Sequence, residues 1–162
     1  RVGAELGYVA EGRLSLSASE LFWAMRQHLL GAEAVPELVY GPEREAESGP
    51  ACRVKISDLK EALKAEMPTV CGFRQLPEVW TVAGGCRLNP VDMACTIAAA
   101  INRGLSDEDE IEPVFGTLVS ARHSSPTGEW AKWWDIFPER LEVPNIVRHS
   151  ALQTWTLKPA LF

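Results

Sequence analysis

Four cysteines and three histidines are the residues best able to do chemistry in this sequence: Cys52, Cys71, Cys86 and Cys95, with His28, His123 and His149. A cysteine activated by a histidine is the arrangement for nucleophilic acyl transfer. Nothing in the spacing brings a histidine beside Cys86 or Cys95, which lie inside one hairpin–helix stretch. No Gly-x-Ser-x-Gly, His-Glu-x-x-His or phosphate-loop pattern occurs. Structural zinc wants short paired spacings, and no Cys-x-x-Cys is present. An even cysteine count without that spacing suits two disulfides in an oxidising compartment, with the connectivity left open. The alternative is four small buried residues in a reduced cytosolic protein. The acidic run Ser106-Asp107-Glu108-Asp109-Glu110 offers oxygen ligands to a hard cation. It lacks the glycine and terminal glutamate spacing of a calcium loop and reads as a solvated acidic turn. The expectation is no catalytic residue, no metal and no cofactor, with a Cys/His hydrolase as the remaining enzymatic reading.

The aromatic residues suggest a different chemistry. The chain carries six tryptophans, and Trp130, Trp133 and Trp134 stand at i, i+3 and i+4, on one face of a helix beginning near Thr127. With Trp155 they would make a platform on which sugar rings stack; the competing reading is core filling between repeats. His28, alone on its helix, is given no function.

The elements that position these groups follow from local signals. The stretch 82–101 reads as strand, Gly84-Gly85 turn, return strand and helix. Asn89 is the N-cap, Pro90 the first helical residue, Asp92 the first-turn charge and Gly104 the stop. The stretch 9–30 repeats the plan: Leu16 matches Leu88, Ser17 matches Asn89, Glu20 matches Asp92 and Leu21 matches Met93, with Ser17 and Glu20 as a capping box. Leu21, Met25 and Leu29 should form the core face of that first helix. Each helix is followed by a glycine, Gly31 or Gly104, and a short exit strand, Val39-Tyr40-Gly41 or Val114-Phe115-Gly116. This is an internal repeat of about 70 to 75 residues. The Gly/Pro-bounded charged loop 41–50 is the repeat boundary. A further helix starts at Ser57 or Asp58 and runs to Met67, with Leu59, Leu63 and Met67 buried and Pro68 ending it. A third, truncated copy is expected at 123–162, as a helix and a hairpin. The fold class is α/β (α+β): tandem helix–β-hairpin–helix repeats with short antiparallel strands. Residues 1–50 form a first repeat without its leading helix, 51–122 a complete one and 123–162 the truncated one.

Helix, then Leu76-Pro77-x-Val79, hairpin, then Leu88-Asn89-Pro90 and helix resembles the pseudomurein-binding repeat and its relatives in secreted wall-associated proteins. The match covers most of 56–101 and, more loosely, 7–30 and 130–162. The matching positions are structural, namely Leu76, Pro77, Val79, Val82, Leu88, Asn89, Pro90 and Met93. The resemblance implies an extracytoplasmic, non-catalytic, wall-associated module and transfers no ligand.

Composition sets the remaining bounds. At 162 residues, 46% hydrophobic and 23% charged, the chain has the make-up of a globular protein. A net charge of -6 argues against a nucleic-acid partner, and no apolar run approaches the ~20 residues of a spanning helix. The first residue is Arg1, which suggests a removed secretory signal. The expected function is a non-enzymatic secreted protein of the extracellular space or cell surface that self-associates head-to-tail into a filament or wall layer. Its interface would be Arg1, Val2, Leu6, Trp155, Leu157, Leu161 and Phe162, with the arm 1–6 adding a strand to a neighbour. The alternative is a cell-wall or glycan-binding module using Trp130, Trp133 and Trp134, with wall polysaccharide as partner.

Overall fold

Short strands and capped helices alternate along the chain, and the computed structural model describes residues 3–44, 46–123 and 144–160. In order they are β1 (Ala4–Leu6), β2 (Val9–Glu11), β3 (Leu14–Leu16), α1 (Ala18–Leu29), β4 (Val39–Tyr40), β5 (Val54–Lys55) and α2 (Ile56–Lys64). Then follow β6 (Thr69–Val70), β7 (Phe73–Gln75), β8 (Trp80–Val82), β9 (Cys86–Leu88), α3 (Pro90–Arg103), β10 (Glu110–Ile111), β11 (Gly116–Leu118) and α4 (Pro144–Thr154). The fold is mixed α/β.

The two hairpin–helix units form where their residues direct. In β2–β3–α1, Ser17 accepts from the Glu20 N–H and the Glu20 carboxylate accepts from the Ser17 N–H, the reciprocal capping box. In β8–β9–α3, Gly84 and Gly85 adopt the positive φ that the turn requires. The Asn89 side chain accepts the Asp92 N–H at 2.9 Å, Pro90 opens the helix, and Gly104 closes it in the left-handed region at φ 62. Their surroundings differ. α1 leads into β4, whereas α3 leads into β10 and then β11. The second exit strand is Gly116–Leu118, two residues beyond the expected position.

Several expectations are corrected. Two strand pairings are parallel, β1 with β11 and β4 with β7, so the strands are not uniformly antiparallel. The buried stripe of α1 centres on Phe22, with Leu29, while Leu21 and Met25 are only partly buried. Phe22 stacks on Trp80 with ring centroids 5.3 Å apart, so the second hairpin sets the rotation of α1. α2 starts at Ile56 with no side-chain cap, because the carbonyls of Asp109 and Asp107 accept the N–H groups of Ile56 and Ser57. It stops at Lys64, short of Met67: Ala65 leaves the helical region at ψ 141, and in a continued helix the Pro68 ring would clash with the Lys64 carbonyl. The segment expected to hold the third hairpin is instead the helix α4, with Pro144 at its start, where its fixed φ suits the first turn.

The loop 41–50 packs against later parts of the chain. Ser48 and Gly49 bond to the second unit, and Gly41 packs so closely on the Trp155 ring that a Cβ there would overlap it. Fully buried Phe22, Ile56, Leu59, Leu63, Met93 and Ile97 come from α1, α2 and α3 and belong to one cluster. The cysteines form one disulfide, Cys52–Cys86, and not two. Cys71 sits exposed at the β6–β7 turn and Cys95 is buried on α3, so these two thiols stay free.

Candidate functional site

An open groove of about 1180 Å³ runs between β1 and the β10–β11 connection. Three arginines and three glutamates line it. Arg53, ahead of β5, pairs with Glu112 at 3.0 Å, and Arg122 pairs with Glu5 of β1. Arg103, in the last turn of α3, and Glu110 of β10 have no ion-pair partner among the described residues. Between these charges lies Phe115, with 36% of its surface exposed. Among the described residues the groove therefore offers a cation and an anion without ion-pair partners and an aromatic surface, an arrangement suited to a polar ligand with apolar ring faces or with charges of both signs.

The groove wall is held from behind by α3. The Asp92 carboxylate, 5% exposed, accepts the Gly116 N–H at 2.8 Å and the Ser48 hydroxyl at 2.5 Å. Thr96 donates to the Asp92 carbonyl at 2.7 Å and accepts the Val114 N–H at 3.0 Å. The approach to β11 is tight, because a Cβ on Gly116 would overlap the Cys95 sulfur. Only glycine lets the strand lie this close to α3.

No other relation names the site. Neither a family model, a curated protein nor a solved structure matches this chain. Its chemistry has to be read from its own residues.

The residues singled out from sequence fall in different places. Leu6 is 4% exposed and Trp155 3% exposed, both in the core of their own chain. β1 adds its strand to β11 of the same chain, so the arm is already used. Leu157 is exposed, at 46%. Arg1, Val2, Leu161 and Phe162 lie outside the described residues, as do Trp130, Trp133 and Trp134. Trp155 is lost to a sugar platform by its burial, and Trp23 and Trp80 are buried as well. The acidic turn is not a loose loop. The Ser106 N–H and hydroxyl donate to Asp109, Asp107 pairs with Lys60, and Glu108 pairs with Lys55. Among the described residues no group of histidine, cysteine and carboxylate side chains could hold a metal ion, and no helix is long and apolar enough to cross a membrane.

The free thiols differ sharply. Burial, and beyond it the Asp92 carboxylate, push the Cys95 thiol up to about 11. A thiol so protonated is a poor nucleophile. No hydrogen bond joins Cys71 or Cys95 to a histidine among the described residues. Iodoacetamide at about pH 8 should alkylate Cys71 in the native protein and leave Cys95 untouched until the chain is unfolded, as read by peptide mass. Modification of Cys95 in the folded protein would show that α3 opens on that timescale.

Of the groove residues, the sequence singles out Glu110 only as part of the acidic run and Glu5 only as part of the arm 1–6. From sequence, Phe115 is only part of an exit strand, and Arg103 is not singled out. The one signal available was Arg103 in the last helical turn, where a cation is favoured by the helix dipole whatever its function.

Proposed function

We propose that this chain is a non-catalytic, extracytoplasmic module that binds a polar wall polymer in the groove between β1 and the β10–β11 connection. The observation that carries the reading is the groove itself: a guanidinium and a carboxylate without ion-pair partners among the described residues, and partly exposed Phe115, in one open cleft. An aromatic surface takes the apolar face of a sugar ring, and planar charged groups take its hydroxyls or the charged ends of an attached peptide. The Cys52–Cys86 disulfide suits an oxidising location. The resemblance of 56–101 to the pseudomurein-binding repeat adds wall association to the same reading.

The test is retention of the purified chain on insoluble peptidoglycan and pseudomurein sacculi. The double variant Arg103→Ala/Phe115→Ala should lose about tenfold or more in affinity, the scale of one hot-spot contact. Both side chains are at least partly exposed, so the fold should survive. Undiminished retention by a folded double variant would place the ligand elsewhere.

A second reading is self-association into an extracellular or cell-surface assembly. The observation that favours it is the outer edge of β1, with which no strand pairs among the described residues, beside exposed Tyr8, Val9 and Leu14 at the first hairpin. Contact along that edge replaces the head-to-tail exchange of arms, since β1 is engaged within its own chain.

A further inference from the structure

We propose that two copies of this chain pair symmetrically along the outer edge of β1. This rests on the second reading, self-association, and gives it a surface and a symmetry. β1 runs parallel to β11 with Ala4 opposite Gly116, Glu5 opposite Thr117 and Leu6 opposite Leu118. The Ala4 N–H donates to the Phe115 carbonyl at 3.3 Å, so Ala4 faces β11. Alternate residues of a parallel strand face opposite edges. The N–H and C=O of Glu5 therefore point away from β11, and no strand pairs with that edge among the described residues. The far side of the ribbon is closed, because the Gly116 N–H is taken by Asp92. Among the described residues one edge of this two-stranded parallel ribbon is thus covered and the other open, and an open edge is a template for another strand.

The residues along this edge fit a copy of themselves. Gly3 and Gly7 flank Glu5 symmetrically. An antiparallel pairing centred on Glu5 sets each glycine opposite the other copy's glycine, where no side chain obstructs the approach. Two glutamates meeting at the centre would repel, but each Glu5 carries its own Arg122 as an ion pair. Beside the edge lies an apolar groove of about 400 Å³, lined by Tyr8, Val9, Leu21, Met25 and Ala98. Tyr8 is 54% exposed and Val9 36% exposed, which leaves apolar surface for a second copy to cover. The same patch on both copies makes an isologous contact, which closes as a dimer and does not grow a filament. A contact of this size is weak, with a dissociation constant on the order of 10 µM to 1 mM.

Sedimentation of the full chain from about 1 µM to 1 mM reads the pairing directly. The wild type should pass from monomer to dimer across that range. Glu5→Pro removes the outward N–H while the ladder to β11 through Ala4 is spared, as happens with proline on a strand edge. It also removes the Arg122 ion pair, so Glu5→Gln, which loses that pair and keeps the N–H, is the control and should still dimerise. The Glu5→Pro variant should stay monomeric, with an unchanged circular dichroism spectrum. Should it fail to fold, Tyr8→Glu at an exposed position serves instead and should weaken the dimer about tenfold or more. A dimer that survives in a folded Glu5→Pro protein, or that is not weakened by Tyr8→Glu, leaves self-association standing and overturns pairing through β1. A wild type monomeric at 1 mM overturns both.

Discussion

Reduction of the Cys52–Cys86 disulfide should lower stability by about 4 kcal/mol, measured by urea unfolding with and without reductant. The bond closes 34 residues of chain, including α2, the β6–β7 hairpin and β8. A loop of that length confines the unfolded ensemble by about that amount in the chain-entropy account. The folded state has other ties at the same place. The Gly49 N–H donates to the Arg87 carbonyl at 2.8 Å, and the Asn89 N–H donates to the Ser48 hydroxyl at 2.9 Å. The reduced protein should therefore keep its fold while its unfolding midpoint drops. Alkylating Cys71 beforehand keeps that thiol out of exchange, and Cys52→Ala/Cys86→Ala should reproduce the reduced value. A drop below about 1 kcal/mol would mean that the unfolded chain already holds the two ends together, as residual structure can do.

What could be read from the sequence was local. Ser17, Asn89 and Gly104 each act on the backbone within a few residues, so both helix starts and the α3 stop were legible. Contacts made across the chain were not. β1 pairs with β11, a strand far along the chain, and nothing in Ala4-Glu5-Leu6 specifies that partner. The expected α2 start at Ser57 or Asp58 falls a residue or two late, because its cap is backbone from the acidic turn, and a carbonyl carries no residue type. The same turn was legible as polar but not as the device that ends in Lys60 and Lys55 on α2 and β5. Pro144 illustrates a true ambiguity. A Val-Pro pair serves a loop before a hairpin or the first turn of a helix, and only the helix that follows decides. The groove was illegible for a related reason. Arg103, Glu110 and Phe115 belong to separate elements, and their convergence is a property of the packing.

Asp92→Ala should cost about 4 kcal/mol, among the largest effects expected of a single side chain here. From sequence Asp92 is a helix-dipole residue worth about 0.5 kcal/mol. In the fold it is a buried acceptor for two donors from distant segments, Gly116 on β11 and Ser48 in the 41–50 loop. Each such bond to a charged acceptor contributes about 1.5 to 3 kcal/mol, and removal leaves the Gly116 N–H without a partner. Asp92→Asn keeps the shape and one acceptor oxygen. Its amide then faces a Ser48 hydroxyl that already accepts the Asn89 N–H. A loss of about 1 to 2 kcal/mol is expected, set by the weaker neutral bond. Ser48→Ala should cost about as much, and in the double variant with Asp92→Ala the two losses should fall short of their sum, because they share one bond. The consequence reaches the groove. Gly116 and its neighbour Phe115 form part of the wall, and Asp92 is what fixes that strand to α3. In Asp92→Ala the Gly116 amide should exchange its hydrogen faster than global unfolding alone would allow, and retention on sacculi should fall even where the protein remains folded. Slow exchange at Gly116 in that variant would show that pairing with β1 holds β11 in place without the carboxylate.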